Sequence, residues 1–194
     1  MAQKINDEQL IQLTEAAIFA SEKPLTTEEL QNTVLSDFDI SRKRLLAVLA
    51  QLTQDYAGRG IVLTETASGY RFCTRPELSD YLARLWPERS PRYSRAVLET
   101  LALIAYRQPI TRGEIEDIRG VSVSSQIMRT LLDRGWVKVV GHKEVPGRPG
   151  LYATTPLFLD YFGLKDLSQL PPLPELQAIT TELADTVEMT GEIH

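Results

Sequence analysis

Soft metal ligands are scarce in this chain: 194 residues contain one cysteine, Cys73, and two histidines, His142 and His194. A lone thiol cannot close an intrachain disulfide, which excludes a stapled secreted fold. Three scattered donors are too few for a tetrahedral zinc site, so no metal is expected. Long apolar runs are also missing; none approaches the roughly eighteen residues that a membrane span needs. The opening MAQKINDEQL is polar and partly acidic rather than a signal peptide, which predicts a cytoplasmic protein.

Basic charge is in deficit. Lys and Arg number 21 against 26 Asp and Glu, giving a formal charge of -5 and a pI near 5.2. That balance argues against coating nucleic acid by bulk electrostatics, although it leaves room for a local basic patch. Catalytic constellations are absent too. The acidic residues form no dyad, no histidine accompanies a nucleophile, and Cys73 falls in a predicted strand where a buried, inert thiol is the default. The glycines and prolines around Arg148 lack the Gly-Lys-Ser/Thr that opens a phosphate-binding helix. The sequence therefore predicts neither an enzyme nor a cofactor.

What is present is a repeat. With 43% hydrophobic residues the chain can build one ordinary core or two small ones. A shift of 85 residues superposes SEKPLTTEEL, residues 21–30, on YRQPITRGEI, residues 106–115. Both read Pro, aliphatic, Thr, two variable residues, Glu, aliphatic. The same shift aligns Leu13 with Leu98, Ala16 with Leu101, Ala17 with Ala102, Phe19 with Ile104 and Ala20 with Ala105, extending the match through the preceding helix. Two copies of one small domain follow.

The shared segment has a physical meaning. Thr26 and Thr111 are placed as helix N-caps, and Glu29 and Glu114, three residues on, can reach back to complete capping boxes. Pro24-Leu25 and Pro109-Ile110 favour a short extended stretch before each cap. Downstream of the first box, Ser41 to Tyr56 carries Leu45, Val48, Leu49 and Leu52 at helical spacing, and Ile61–Thr66 and Tyr70–Thr74 read as a hairpin turning at Ser68 and Gly69. Downstream of the second, a helix over about Ser124–Arg134 ends at Gly135, and Trp136–Val140 and Leu151–Thr154 supply the strands. Helix, strand, helix, helix, hairpin is the winged-helix order. The predicted class is α+β, mainly α with small β wings, as tandem winged-helix domains.

Between the copies, Leu78 to Trp86 reads as a closing helix, and Pro87 and Pro91 break it. This places a first domain at 1–86, a linker at 87–93 and a second domain at 94–176, which includes a helix over TPLFLDYFGL and the proline-rich LPPLPEL. Residues 177–194 are acidic, lack aromatics and read as a disordered tail.

The segments LETLALIAYRQPITRGEIEDIRGV, RPGLYATT and FLDYFGLKDLSQLPPLPEL closely resemble the signature stretch of the segregation and condensation protein B family, dense from about Leu98 to Leu176. The resemblance implies a subunit without catalytic activity that forms a homodimer and wraps the middle of the kleisin ScpA, whose ends join the heads of an SMC ATPase. It implies a cytoplasmic, nucleoid-associated scaffold in chromosome condensation and segregation, with the first domains pairing and the second domains clasping the kleisin. One departure is the wing GHKEVPGRPGLY, which carries His142 and Lys143 where the family pattern is basic and often contains arginine.

Candidate kleisin contacts come from three places. Pro146, Pro149, Gly147 and Gly150 can hold Arg148 out from the second wing at low entropic cost, with a rigid turn as the plainer reading. Tyr106, Arg107 and Gln108 end the first helix of the second copy, and Arg119 and Gly120 follow its second helix. Tyr152, Phe158, Tyr161 and Phe162 form an aromatic cluster, partly core and partly available to a partner helix. For dimerisation the sequence nominates Leu10, Leu13 and Leu49, in competition with plain core roles.

The alternative function is a winged-helix transcription regulator. The first copy's third helix opens with Arg42, Lys43 and Arg44, whereas the second copy's offers only Arg129 and Arg134. Residues 94–155 hold nine basic against six acidic residues, and residues 1–86 nine against twelve. No aromatics interleave with the basic cluster, so DNA contact is expected to be indirect or weak.

Overall fold

The computed structural model describes residues 4–85 and 93–172. Helix α1, Asp7–Ala20, opens on a capping box in which Asn6 accepts the Gln9 N–H at 2.8 Å and the Gln9 side chain returns to the Asn6 N–H. Its inward face is Leu10, Thr14 and Ile18. Helix α2, Thr27–Asn32, and helix α3, Arg42–Tyr56, follow. Thr26 accepts the Glu29 N–H at 3.0 Å while Glu29 takes the Thr26 N–H at 2.8 Å, which forms the predicted box. Leu45, Val48, Leu49 and Leu52 all point inward from α3. Strands β1, Ile61–Thr66, and β2, Gly69–Thr74, make an antiparallel wing turning at Ala67-Ser68. The extended stretch before α2 contributes Leu25, which bridges to Tyr70.

The order recurs. Helix α5, Arg95–Arg107, leads to β3, Ile110–Thr111, then α6, Arg112–Arg119, and α7, Ser125–Asp133. Strands β4, Val137–His142, and β5, Gly150–Thr154, close the second wing, and β5 lies between β3 and β4. Thr111 and Glu114 form the second capping box, and Gly120 ends α6 in the left-handed conformation that favours glycine. Helix α8, Pro156–Tyr161, packs Phe158 inward behind it.

Each copy has its own core. Leu10, Leu30, Leu45, Leu49, Leu52 and Leu63 belong to one cluster, and Leu101, Ile104, Ile115, Leu131, Trp136 and Phe158 to the other. The structure is a tandem winged-helix protein, mainly α with small β wings.

Three details differ from the sequence reading. The 85-residue shift holds for the capping boxes but not for the preceding helices: Phe19 is 73% exposed, whereas its supposed counterpart Ile104 is fully buried. A shift of 87 pairs Leu10 with Val97, Thr14 with Leu101 and Ile18 with Ala105, all of them buried. The connection from Ala20 to Thr26 is two residues longer than that from Arg107 to Thr111, and the difference rotates the helix face. The single closing helix predicted over Leu78–Trp86 is instead a 3-10 turn at Pro76–Leu78, a four-residue helix α4, Ser79–Leu82, and a second 3-10 turn at Ala83–Leu85. None of these residues is buried, so no packed face holds a regular helix there. Cys73 is half-buried rather than buried. Trp86, the predicted linker apart from Tyr93, Leu173–Leu176 of the proline-rich end, and the acidic tail lie outside the described residues.

Candidate partner-binding surface

The second wing is built around Glu114. Its carboxylate completes the capping box of α6 and also accepts the Lys143 ammonium at 2.6 Å, so the wing is tied to the helix that it flanks. The Lys143 bond, followed by the Thr111 backbone and hydroxyl, holds the Glu114 pKa down at about 2. Beyond Lys143 the loop is closed by two backbone bonds, Lys143 N–H to Pro149 C=O and Arg148 N–H to Val145 C=O, both 2.9 Å. Gly147 and Arg148 both have positive φ, 85° and 39°. Arg148 thus stands at the crest of the wing with its side chain 73% exposed, 3.6 Å from Glu144. Val139, Val140 and Val145 expose apolar surface on the same wing.

At the end of α5, Arg107 is exposed. Gln108 is turned to structural use: its Oε1 accepts the Thr154 N–H at 2.7 Å and its Nε2 donates to Ala105 C=O and to the Thr154 hydroxyl, stapling α5 to β5. Tyr106 is half-buried and its hydroxyl donates to Pro171 C=O, which draws the C-terminal stretch against α5. Tyr152 sits on the central strand opposite Ile110 and Val139, half-buried against the core. Pro149 is half-buried at the base of the loop.

Two sets of nominated residues are corrected. Arg119 is drawn into the domain rather than presented on its surface: its side chain is 10% exposed and its Nη2 donates to Glu99 at 3.0 Å. Arg95 first and then Arg119 hold the Glu99 pKa below its ordinary value. Leu10 and Leu49 are buried in the first core and cannot meet a second copy. Leu13 survives as a surface candidate, half-buried in an open groove of about 530 Å³ with Ile5, Gln9, Ala16 and Phe38.

The aromatic cluster divides around Trp136, whose role the sequence did not reveal. Trp136 is buried, with Tyr161, Tyr93 and Phe162 packed at centroid distances of 4.6, 5.1 and 5.8 Å. Phe158 is core, whereas Tyr161 and Phe162 keep an exposed edge beside exposed Leu157. The exposed valines were also missed. Their signal is two adjacent β-branched residues, Val139 and Val140, which in a strand must face opposite sides and so put at least one side chain on the outer surface of a thin wing.

The basic residues of the third helices divide: Arg42 and Lys43 are exposed, whereas the others have neighbours. Arg44 bonds Asp7 at 2.6 Å and the Ile5 carbonyl, Arg129 approaches Asp133 at 3.6 Å, and the Arg134 guanidinium lies 5.4 Å from the Tyr93 ring centre. Among the described residues, no group of three His, Cys, Asp or Glu could hold a metal ion, and no helix is long and apolar enough to cross a membrane.

The family model for segregation and condensation complex subunit ScpB matches residues 12–173. A segregation and condensation protein B homolog from Coxiella burnetii is 56% identical over 181 residues, covering 92% of this chain and 87% of that protein. Segregation and condensation protein B from Syntrophotalea carbinolica is 46% identical over 172 residues, covering 88% and 85%. Among solved structures, ScpB from Mycobacterium tuberculosis is 34% identical, covering 84% of this chain and 99% of that one, with a TM-score of 0.40. A dimer of the ScpB N-terminal domain complexed with ScpA peptide is 26% identical over 44% of this chain and 92% of that one, with a TM-score of 0.32.

Proposed function

We propose that this chain, which belongs to the family of segregation and condensation complex subunit ScpB, works without chemistry of its own as a homodimer that grips the middle region of the kleisin ScpA. The first winged-helix half pairs with its copy and the second half clasps the kleisin. Through the kleisin, the protein serves the SMC ATPase as a nucleoid-associated scaffold in the cytoplasm. The observation that carries the reading is the family match, which runs from residue 12 to residue 173 and so spans both winged-helix halves.

The geometry supplies a physical route. A rigid wing that presents Arg148 between a glycine and a proline loses little entropy when it binds, and the exposed Val139, Val140 and Val145 offer apolar area beside that charge. Arg107 at the end of α5, with Tyr106, Gln108, Pro149 and Tyr152 shaping the surface behind it, completes the kleisin side. Leu13 and its groove form the dimer side. Two small domains joined in one chain act as a bivalent grip.

Light scattering of the full chain with and without the ScpA middle region tests this. The reading requires a dimer mass that rises by the mass of bound kleisin segment. A monomer that ignores the segment would overturn it.

A further inference from the structure

The turn of the first wing does not end in solvent. In a two-residue hairpin turn, the two central N–H groups have no partner within the ladder. Here Ala67 and Ser68 are those residues, and both donate into the second half: Ala67 N–H to Leu164 C=O at 3.0 Å, and Ser68 N–H to the Asp160 carboxylate at 3.0 Å. Beside them, Lys165 pairs with Glu65 at 2.9 Å.

Each side is shaped for the other. On the wing, the buried Thr66 hydroxyl donates to Gly69 C=O at 3.0 Å, and Tyr70 exchanges two backbone bonds with Leu25, so the turn is held in one pose. On the other side, Gly163 has φ 68° and lets the chain fold back after α8, with Leu164 N–H donating to Leu159 C=O at 2.8 Å and its own carbonyl aimed outward. Asp160 is the informative residue. A carboxylate in the last turn of a helix opposes the helix dipole, and this one is only 8% exposed. Its charge works against α8, whereas it accepts the Ser68 N–H that the hairpin ladder leaves over, beside the Leu164 carbonyl that takes the Ala67 N–H.

We infer that the tip of the first wing is a latch, and that its seat on Asp160, Leu164 and Lys165 holds the two winged-helix halves of one chain in a single fixed arrangement. A wing held this way is also withdrawn from the backbone phosphates that a DNA-binding wing would touch. The latch does not depend on what the second wing binds.

Spin-label distance measurement on the full chain tests this, with labels at Gln51→Cys and Gln126→Cys, both exposed positions, in a Cys73→Ser background diluted with excess unlabelled protein. The native chain should give one narrow distance. Asp160→Ala and Lys165→Glu should each broaden it at least twofold, while the pair Glu65→Lys with Lys165→Glu should restore the narrow distance. Thermal unfolding separates a released latch from a lost fold. Should Asp160→Ala fail to fold, the Lys165→Glu variant and its swap decide alone. A broad distribution in the native chain, or one that none of the changes alters, overturns the latch. So does a narrow distance that vanishes on dilution with unlabelled chain, because the contact then lies between copies.

Discussion

Lys143 of the second wing bonds Glu114 at 2.6 Å, and Lys23 of the first copy bonds Glu29, its repeat counterpart, at 2.9 Å. The two lysines come from unrelated places, one from a wing and one from the turn before a helix. Both copies have nonetheless placed an ammonium on the carboxylate that closes the capping box. Each carboxyl is held at about 2: Glu29 by the Thr26 backbone first and then by Lys23, and Glu114 by Lys143 first and then by the Thr111 backbone.

An acid response follows. A carboxylate whose folded pKa is depressed stabilises the fold fully above its unfolded pKa, and that stability drains away as pH falls toward the folded value. The window here runs from about pH 4.5 down to about pH 2. Both side chains are more than a third exposed, so each is worth about 1 kcal/mol, the size of an ordinary cap, rather than the full shift. Urea unfolding of Glu114→Gln should show about 1 kcal/mol less stability than the native chain at pH 7 and a much smaller deficit at pH 2.5. An equal deficit at both pH values would detach the effect from the carboxylate's charge.

The leucines make a second case. Leu10 and Leu49 lie in the core, and Leu13 lies in the groove beside it. Leu10→Ala and Leu49→Ala should each cost roughly 2–5 kcal/mol in chemical denaturation. Leu13→Arg should cost less than about 1 kcal/mol, the range for surface changes, yet lower the mass seen by light scattering. Three equal losses of stability with no change in mass would move the dimer surface elsewhere.

These residues also show where the sequence was legible. Thr26, Glu29, Thr111 and Glu114 announce themselves because a capping box is a local device with a fixed three-residue spacing. The inward leucines of α3 do so because their spacing matches the helix period. Leu10 gave no such clarity: periodicity says that a leucine lies on an apolar face, not whether that face meets its own core or another chain. Phe19 was misassigned for a different reason, since a two-residue difference in loop length turns a helix by about 200° while leaving the capping motif aligned. Arg119 looked like a surface cation because its partner Glu99 is twenty residues away on another helix, beyond any local pattern. Trp136 at the centre of three aromatic rings, and the latch at Asp160, are tertiary facts with no local signature.

Arg148 and Arg119 should separate cleanly in a binding assay. Arg148→Gly keeps a residue that tolerates positive φ and deletes only the side chain, so the Tm should hold while affinity for the ScpA middle region falls about tenfold, or 1.4 kcal/mol. Arg119→Ala leaves Glu99 short of one cation and opens a gap beside α5, which should lower the Tm. Calorimetric titration of both variants reads the difference. Undiminished affinity in Arg148→Gly would remove the wing crest from the contact.

Duplex DNA gives a further check on the rival reading. With a formal charge of -5 and only Arg42, Lys43 and Arg129 presented from the third helices, Arg44 and Arg134 being turned to Asp7 and Tyr93, the isolated protein should bind DNA no more tightly than the non-specific range of about 10⁻⁴–10⁻⁶ M at physiological salt, without sequence preference. Fluorescence anisotropy on random and candidate duplexes measures this. Nanomolar, sequence-dependent binding would favour a regulator over an adaptor.

Gly69 ties the first wing's shape to its use. Its φ of 131° lies where side chains are strained, and a Cβ built there would meet the Leu25 carbonyl carbon at 2.3 Å and its oxygen at 2.4 Å. Those atoms are backbone, and they belong to the residue whose two hydrogen bonds with Tyr70 brace the hairpin, so neither side can yield cheaply. Gly69→Ala should therefore cost at least about 2 kcal/mol, within the range for backbone strain at such positions, and lower the Tm by roughly 4–8 °C in a chain of this length. Gly58→Ala is the control, because open space surrounds a Cβ there and its φ is ordinary; its Tm should change by less than about 2 °C. Matching Tm values for the two variants would mean that the Leu25–Tyr70 brace is soft, and that the wing tip is held in place by its seat on α8 alone.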